Sequence, residues 1–202
     1  GVDMAKIKYE FLDAYHQKNG YSLRSRLFAN ISTLSRIGSA LAPVSNWKIN
    51  NPIIKWLLDQ ILRIDKRRLL PKFDRHPFPK QFKARTTSYS RPIKGKVVLF
   101  NDTFMNYNQP SVGMAATRLL ESAGYEVVIV DRKCCGRPFI SKGMLDKAKS
   151  NAEYNVNLLY PYIEQGAYVV GCEPSCLLAL RDEYPDLVPG NKSSVVAQNT
   201  FL

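Results

Sequence analysis

Residues 125–138 read Tyr-Glu-Val-Val-Ile-Val-Asp-Arg-Lys-Cys-Cys-Gly-Arg-Pro. The segment Tyr125 to Val130, apolar from Val127 on, has the length of a buried strand and leads through Asp131 into two neighbouring thiols, Cys134 and Cys135. Successive side chains on a strand point to opposite faces, so adjacent cysteines address one object only where the backbone is irregular. Gly136, directly after them, permits such a turn. A metal ion or a cluster is the simplest object for both thiols to share.

On the C-terminal side, Ser141 or Lys142 opens a long helical pattern through Met144, Ala148, Ala152, Val156, Leu159 and Tyr160, which Gly166 ends. Ala167 to Gly171 is a further strand, and Pro174 stands where a helix running to about Tyr184 would start. On the N-terminal side, Val97 to Phe100 is a short apolar strand, followed by a helix over 111–123 (Val112, Ala115, Ala116, Leu119, Leu120) that Gly124 closes. Short apolar strands separated by helices imply a parallel sheet covered on both faces. The expected fold is therefore α/β, with a small doubly wound unit over 96–202. In open parallel sheets, ligands bind at the carboxyl ends of the strands. Asp102, Cys134, Cys135, Cys172, Glu173 and Cys176 all fall there. Core packing accounts well for a single buried thiol. It accounts poorly for four of them gathered with two carboxylates.

The first half has a different period. Residues 3–19 read as a helix with Asp3 as N-cap, Met4, Ile7, Phe11 and Tyr15 along one face, and Gly20 as the stop. A second helical run carries Leu23, Leu27, Ile31, Leu34, Ile37 and Leu41, with Pro43 expected to end it. A third starts near Pro52, carries Ile53, Trp56, Leu57, Ile61 and Ile64, and breaks into Asp65-Lys-Arg-Arg68. These make a helical segment over 1–68. Residues 69–95 hold four of the twelve prolines, many cations and no sustained period, which suits a linker or wrapping arm. Phe73, Phe78 and Phe82 either anchor that arm on a neighbouring surface or pack as ordinary loop residues.

The formal charge of +12 is unevenly placed: residues 1–96 carry 20 Lys+Arg against 6 Asp+Glu, and residues 97–202 carry 9 against 11. A basic half suits an anionic partner, or is a solvated helical surface. Nucleic acid is disfavoured, because no recognition motif accompanies the charge. With no secretory signal ahead of them, the four cysteines suggest a reducing, cytoplasmic setting, in which clustered thiols bind metal more often than they pair. No apolar run reaches the roughly 18 residues of a membrane span. Trp47 and Trp56, on an apolar face beside cations, suit either packing against another domain or a peripheral place at the inner face of the membrane. His16 and His76 have no metal-spaced partner. Arg132, Lys133 and Arg137 flank the thiols and are expected to lower their pKa, unless they pair with nearby acids. The chain opens on Gly1 and stops at Asn199-Thr-Phe-Leu202, as expected of a piece of something longer.

The spacing Asp102, 31 residues, Cys134-Cys-Gly136, 36 residues, Glu173-Pro-Ser-Cys176 resembles the cysteine-rich CCG domain of heterodisulfide reductase subunits. The iron-sulfur parts of glycolate, D-lactate and glycerol-3-phosphate dehydrogenases and of large bacterial FAD-linked oxidases carry the same domain. Phe100-Asn-Asp-Thr-Phe104, Ile140-Ser-Lys-Gly143 and Leu180-Arg-Asp-Glu-Tyr184 support the resemblance, and Gly1-Val-Asp-Met-Ala5 is similar to the segment after the last Cys-Pro of a ferredoxin domain. The resemblance implies a place in an electron-transfer path. A flavin domain with FAD oxidises a 2-hydroxy acid, ferredoxin-type 4Fe-4S clusters collect the electrons, and paired CCG repeats pass them to a quinone or another redox protein. This chain would supply the first repeat, 96–202, and would not turn over substrate alone. Its implied partners are the flavin and ferredoxin domains, a second CCG repeat and the acceptor.

The family motif has a cysteine where Asp102 stands and Cys-x-x-Cys where Glu173-Pro-Ser-Cys176 stands, so two implied ligand positions are carboxylates. The implied set Asp102, Cys134, Cys135, Glu173 and Cys176 suits an iron-sulfur cluster less well than five thiolates would, and leaves a single Zn²⁺ or Fe²⁺ as the alternative. Cys172, one residue off the motif, is expected to pack behind its strand. A degenerate repeat acting only as a scaffold or structural metal domain is the competing reading.

Overall fold

The computed structural model of the chain describes residues 3–86 and 92–202. Residues 1–2 of the opening compared above, and residues 87–91 of the Pro-rich arm, lie outside the described residues.

Five helices come first: α1 (Met4–Asn19), α2 (Leu23–Ala29), α3 (Ile31–Ala40), α4 (Ala42–Asn50) and α5 (Pro52–Leu62). Asp3 caps α1, its carboxylate accepting from the N–H groups of Ala5 and Lys6, and Gly20 ends it at φ 72°. The run expected to be continuous from Leu23 to Leu41 is broken at Asn30. The Asn30 side chain donates to the Arg26 carbonyl at 2.7 Å, closing α2 before α3 begins. Pro43 does not terminate the helical region. It stands in the first turn of α4, where a missing N–H costs nothing.

The Pro-rich stretch contains a short helix, α6 (Phe78–Ala84), with Pro79 in its first turn. Phe78 and Phe82, four residues apart, are buried beneath the sheet together with Val97, Leu99 and Val127. Gly113 makes room for Phe78: a Cβ there would stand 2.6 Å from its ring. Arg85 lies over the Phe82 ring and pairs with Glu121 at 2.9 Å, both charged side chains largely buried. Upstream, Asn46 exchanges two hydrogen bonds with the Phe73 backbone, and the Ser39 hydroxyl donates to the Asp74 carbonyl. These contacts, rather than a helical period, fix the stretch, so it escapes a periodicity reading.

The sheet has four parallel strands in the order β2-β1-β3-β4: β1 (Gly95–Leu99), β2 (Tyr125–Val128), β3 (Tyr168–Val170) and β4 (Thr200–Phe201). The first three were expected; β4, two residues long, lies on the outer side of β3. Between the strands run α7 (Thr103–Tyr107) and α8 (Pro110–Ser122), then α9 (Arg137–Ile140) and α10 (Leu145–Glu164). After β3 come α11 (Pro174–Leu178), a π-helical turn (Ala179–Glu183), α12 (Tyr184–Leu187) and α13 (Asn191–Gln198). Alternation along β1 divides the core. Val97 and Leu99 face α6, α7 and α8, whereas Val98 and Phe100 face α10, α11 and α13. Helices on both faces of a parallel sheet make this an α/β, doubly wound unit, as expected.

The first helices sit on this unit through a smaller cluster. Tyr9 of α1 and Ala29 of α2 pack with Phe139, Ile140, Met144 and Ala148. The Tyr21 hydroxyl donates to the Gly143 carbonyl at 3.1 Å.

Candidate functional site

The strand order reverses between β1 and β3, since the chain leaves β1 toward β2 and leaves β3 toward β4. The carboxyl ends of those strands open on a crevice. Asp102 follows β1, Cys134 and Cys135 follow β2, and Glu173 and Cys176 follow β3. All five line one cavity of about 220 Å³.

Each is positioned by its own local structure. Asp102 is buried and caps α7, its Oδ1 accepting from the N–H groups of Phe104 (2.8 Å) and Met105 (3.0 Å). Glu173 caps α11, accepting from the Ser175 N–H at 3.2 Å. Both carboxylates therefore already serve as helix caps, with one oxygen engaged. Gly136, at φ 89°, turns the chain out of the two cysteines into α9, a conformation that a side chain would strain. Cys135 is fully buried within the core, and Cys134 and Cys176 pack against the same cluster while reaching the cavity. The sulfurs of Cys135 and Cys176 lie 3.1 Å apart.

A polar scaffold that sequence reasoning missed holds this loop. Asn155 of α10 is completely buried; its carbonyl accepts from the Lys133 N–H (2.9 Å), and its amide donates to the Lys133 carbonyl (3.2 Å) and the Tyr184 hydroxyl (2.9 Å). One turn earlier, Asn151 donates to the Cys134 carbonyl at 3.1 Å. The signal was present: Asn155 interrupts the stripe Ala148, Ala152, Val156, Leu159, and a polar residue on a core stripe needs partners. Arg132 ties the same loop to the end of β1, its guanidinium donating to the Asn101 carbonyl.

The flanking cations do not bring the thiols below the usual range: Arg132 lowers Cys134 but is outweighed, and Arg137 takes the alternative of pairing with an acid. Arg137 pairs instead with Glu183 on the π-helical turn, and Arg132 is turned toward the Asn101 carbonyl. Cys134 is raised well above the usual thiol range by its hydrogen bond with Cys135 and by burial. For Cys135 the Cys134 hydrogen bond works the other way, but the hydrogen bond with Cys176 and burial outweigh it, and the thiol is pushed up to about 12. Burial likewise raises Asp102, against its two N–H donors. Burial also raises Glu183 despite its Arg137 partner. Without a metal, Cys134 and Cys135 are protonated at neutral pH.

Cys172 does not pack behind its strand. It is exposed in the turn after β3 and lies outside the cavity, because Gly171 ends the strand just before it. His16 bonds the Gly20 carbonyl at the end of α1, far in sequence from any thiol. Among the described residues, no three His, Cys, Asp or Glu side chains surround one point as a single ion requires. A tetrahedral Zn²⁺ needs every thiolate about 2.3 Å from the metal.

Comparison with known proteins agrees with this architecture. Residues 98–181 match the family described as CCG: Cysteine-rich domain. The chain is 31% identical over 169 residues to a subunit of the anaerobic glycerol-3-phosphate dehydrogenase of Escherichia coli (strain K12), covering 83% of this chain and 42% of that protein. It is 24% identical over 190 residues to D-2-hydroxyglutarate dehydrogenase of the same strain, covering 91% of this chain and 19% of that protein. Lactate utilization protein A of Exiguobacterium sp. (strain ATCC BAA-1283 / AT1b) is 34% identical over 92 residues, covering 45% of this chain and 36% of that protein. The chain thus spans less than half the length of each of these relatives. No solved structure matches it at a significant level. Residues 98–181 thus match the CCG cysteine-rich domain, and the chain is related to a subunit of an anaerobic glycerol-3-phosphate dehydrogenase and to D-2-hydroxyglutarate dehydrogenase.

Proposed function

We propose that this chain is the cluster-binding, electron-transfer module of a flavin-linked, iron-sulfur oxidoreductase that oxidises a 2-hydroxy acid. Cys134, Cys135 and Cys176 are its thiolate ligands. The observation that carries the reading is the meeting of these three thiols, two from the loop after β2 and one from α11, in one cavity at the sheet's switch point. The name of one relative, a D-2-hydroxyglutarate dehydrogenase, supports the substrate class.

An iron-sulfur cluster supplies one-electron transfer when bound. The protein's part is to hold and shield it. Gly136 turns the adjacent thiols, Asn151 and Asn155 fix their backbone, and the core around Cys135 excludes water. Asp102 and Glu173 each keep one carboxylate oxygen free of capping for a fourth or fifth contact. Loading must displace the thiol protons, so it weakens as pH falls. Flavin and ferredoxin domains, a second CCG repeat and a quinone or redox-protein acceptor complete the path, at the inner face of the membrane or in the cytoplasm. Among the described residues, no helix is long and apolar enough to cross a membrane.

Anaerobic reconstitution with iron and sulfide, in parallel with zinc, tests the reading through metal stoichiometry, visible absorption and EPR. A stoichiometric chromophore, lost in Cys134→Ser and Cys176→Ser, is expected. One tightly held zinc and no chromophore would make this a structural metal site. Binding of neither would leave a scaffold, a reading that the capping role of both carboxylates favours.

A further inference from the structure

Next to the thiol cavity the molecule has a second, larger cleft, formed by two cavities of about 480 and 370 Å³. Their walls share Ser32, Tyr107, Asp131 and Arg132, and Cys134 lines both the larger cavity and the thiol cavity. Four cations converge on the cleft from three separate parts of the fold: Arg36 from α3, Lys83 from α6, and Arg132 and Lys133 from the loop after β2. Asp131 is the one carboxylate in either wall among the described residues. None of the four cations forms an ion pair among those residues.

A solvated basic helix face would not gather charge in this way. Cations on one helix spread into water, whereas these come from distant segments and surround a concave space in the size range of small-molecule sites. Two of them are held in place. Arg132 is tethered by the Asn101 and Lys133 carbonyls, and the Lys133 ammonium lies 4.7 Å from the centre of the Tyr154 ring. Arg132, half-buried and tethered, attracts an anion more strongly than a cation free in solvent, and the exposed Arg36, Lys83 and Lys133 add positive potential around the cleft.

We propose that this cleft is a binding site for a small organic dianion, a dicarboxylate or a phosphate monoester. Four cations against one carboxylate leave an excess of three positive charges, which a monoanion neutralises poorly. Ser32 and Tyr107, both of which carry a neutral hydroxyl, line both cavities. The site is independent of whether the thiols hold a cluster. If they do, the bound anion stands across Cys134 from it and alters its electrostatic surroundings.

Isothermal titration of the whole chain at constant ionic strength, with succinate, inorganic phosphate and acetate as probes, tests the proposal. At least one dianion is expected to bind saturably, with acetate weaker by about tenfold or more. Preference for succinate marks a dicarboxylate site, and preference for phosphate a phosphoester site. Arg36→Gln with Lys83→Gln changes two exposed residues outside the thiol cavity and should abolish that preference. Lys8→Gln with Lys149→Gln, which removes the same charge elsewhere, should leave it intact. Equal binding of acetate and both dianions, or equal losses in the two double variants, would overturn the proposal and reduce the cleft to a region of general positive potential.

Discussion

The two halves of the chain handle apolar surface in opposite ways. From Phe78 onward the largest buried side chains, among them Tyr184, Phe100, Leu159, Leu177 and Leu180, are 0–1% exposed. On α1–α5 the buried apolar residues among those described are Tyr9, Ala29, Ala42 and Leu62, mostly small or at element ends. Met4, Phe11, Trp47, Ile53 and Ile61 stand at least half exposed. One region is finished by its own chain. The other presents amphipathic stripes whose pattern promises burial that this chain does not supply. Helices of seven to sixteen residues gain little stability without tertiary packing. Exposed apolar side chains on amphipathic helices are what a docking partner would cover.

The sharpest way to break this contrast is to truncate matching side chains in the two regions. Leu159→Ala or Leu180→Ala should cost about 2–5 kcal/mol in chemical denaturation, since each leaves a cavity in a packed core. Ile53→Ala should change stability by about 0.5 kcal/mol or less. Equal losses would mean that α5 is as integral to the fold as α10.

Asn155→Leu comes next. It removes the partners of the Lys133 N–H and the Tyr184 hydroxyl in a dry interior, at about 1–3 kcal/mol for a buried group left unsatisfied. It should also lower metal uptake by loosening the Cys134 loop, an effect that Leu159→Ala should not share at equal stability. The alkaline response of the metal-free chain tests the same enclosure. Cys135 is pushed up to about 12 in the fold, whereas an unfolded thiol ionises near about 8.5, so above that pH the unfolded chain has lost a proton that the folded chain retains. Stability should therefore fall as pH rises above about 8.5, by on the order of 1 kcal/mol per pH unit for each thiol so held. A melt unchanged between about pH 8 and 10 would show the thiol to be less enclosed than the geometry indicates. Asp102→Ala should cost about 1 kcal/mol as a lost cap. If metal loading survives in that variant, Asp102 acts as a cap; if loading falls with it, Asp102 is also a ligand.

How much of this was legible follows from which forces set each element. The three main strands and the long helix α10 obey burial periodicity, so residues such as Val98 and Leu159 announce themselves. The rule about the ends of parallel strands brought Asp102, Cys134, Cys135, Glu173 and Cys176 to one rim but wrongly included Cys172, which only the family spacing set apart. Elements held by tertiary contacts were not visible. Nothing local marks Phe78 and Phe82 as sheet-facing, because their place depends on the space at Gly113. Pro43 carries the same signal at the end of one helix as in the first turn of the next. The electrostatics failed for a related reason. Arg132 and Arg137 are adjacent to the thiols in sequence, yet their guanidinium groups are engaged by Asn101 and Glu183, which are 31 and 46 residues away.

The smallest expected change in stability is also the one that bears most directly on the contrast between the halves. Trp56 is about half exposed on α5, and Trp47 is more so on α4. Trp47→Ala with Trp56→Ala removes two large aromatic rings that bury little, so the denaturation midpoint should move within about 0.5 kcal/mol. If these rings belong to an interface, the pair should nevertheless reduce co-purification of this region with the rest of its parent assembly, because aromatic anchors dominate interface energetics. Sedimentation of the chain alone should shift toward the monomer if the exposed stripes drive self-association. A large loss of stability would mean that both rings pack within the chain, and α4 and α5 would then belong with the finished half. Unchanged stability, assembly and sedimentation together would leave the stripe without an energetic role, and docking would have to be sought on α1, where Met4, Ile7, Phe11 and Tyr15 form the next exposed row.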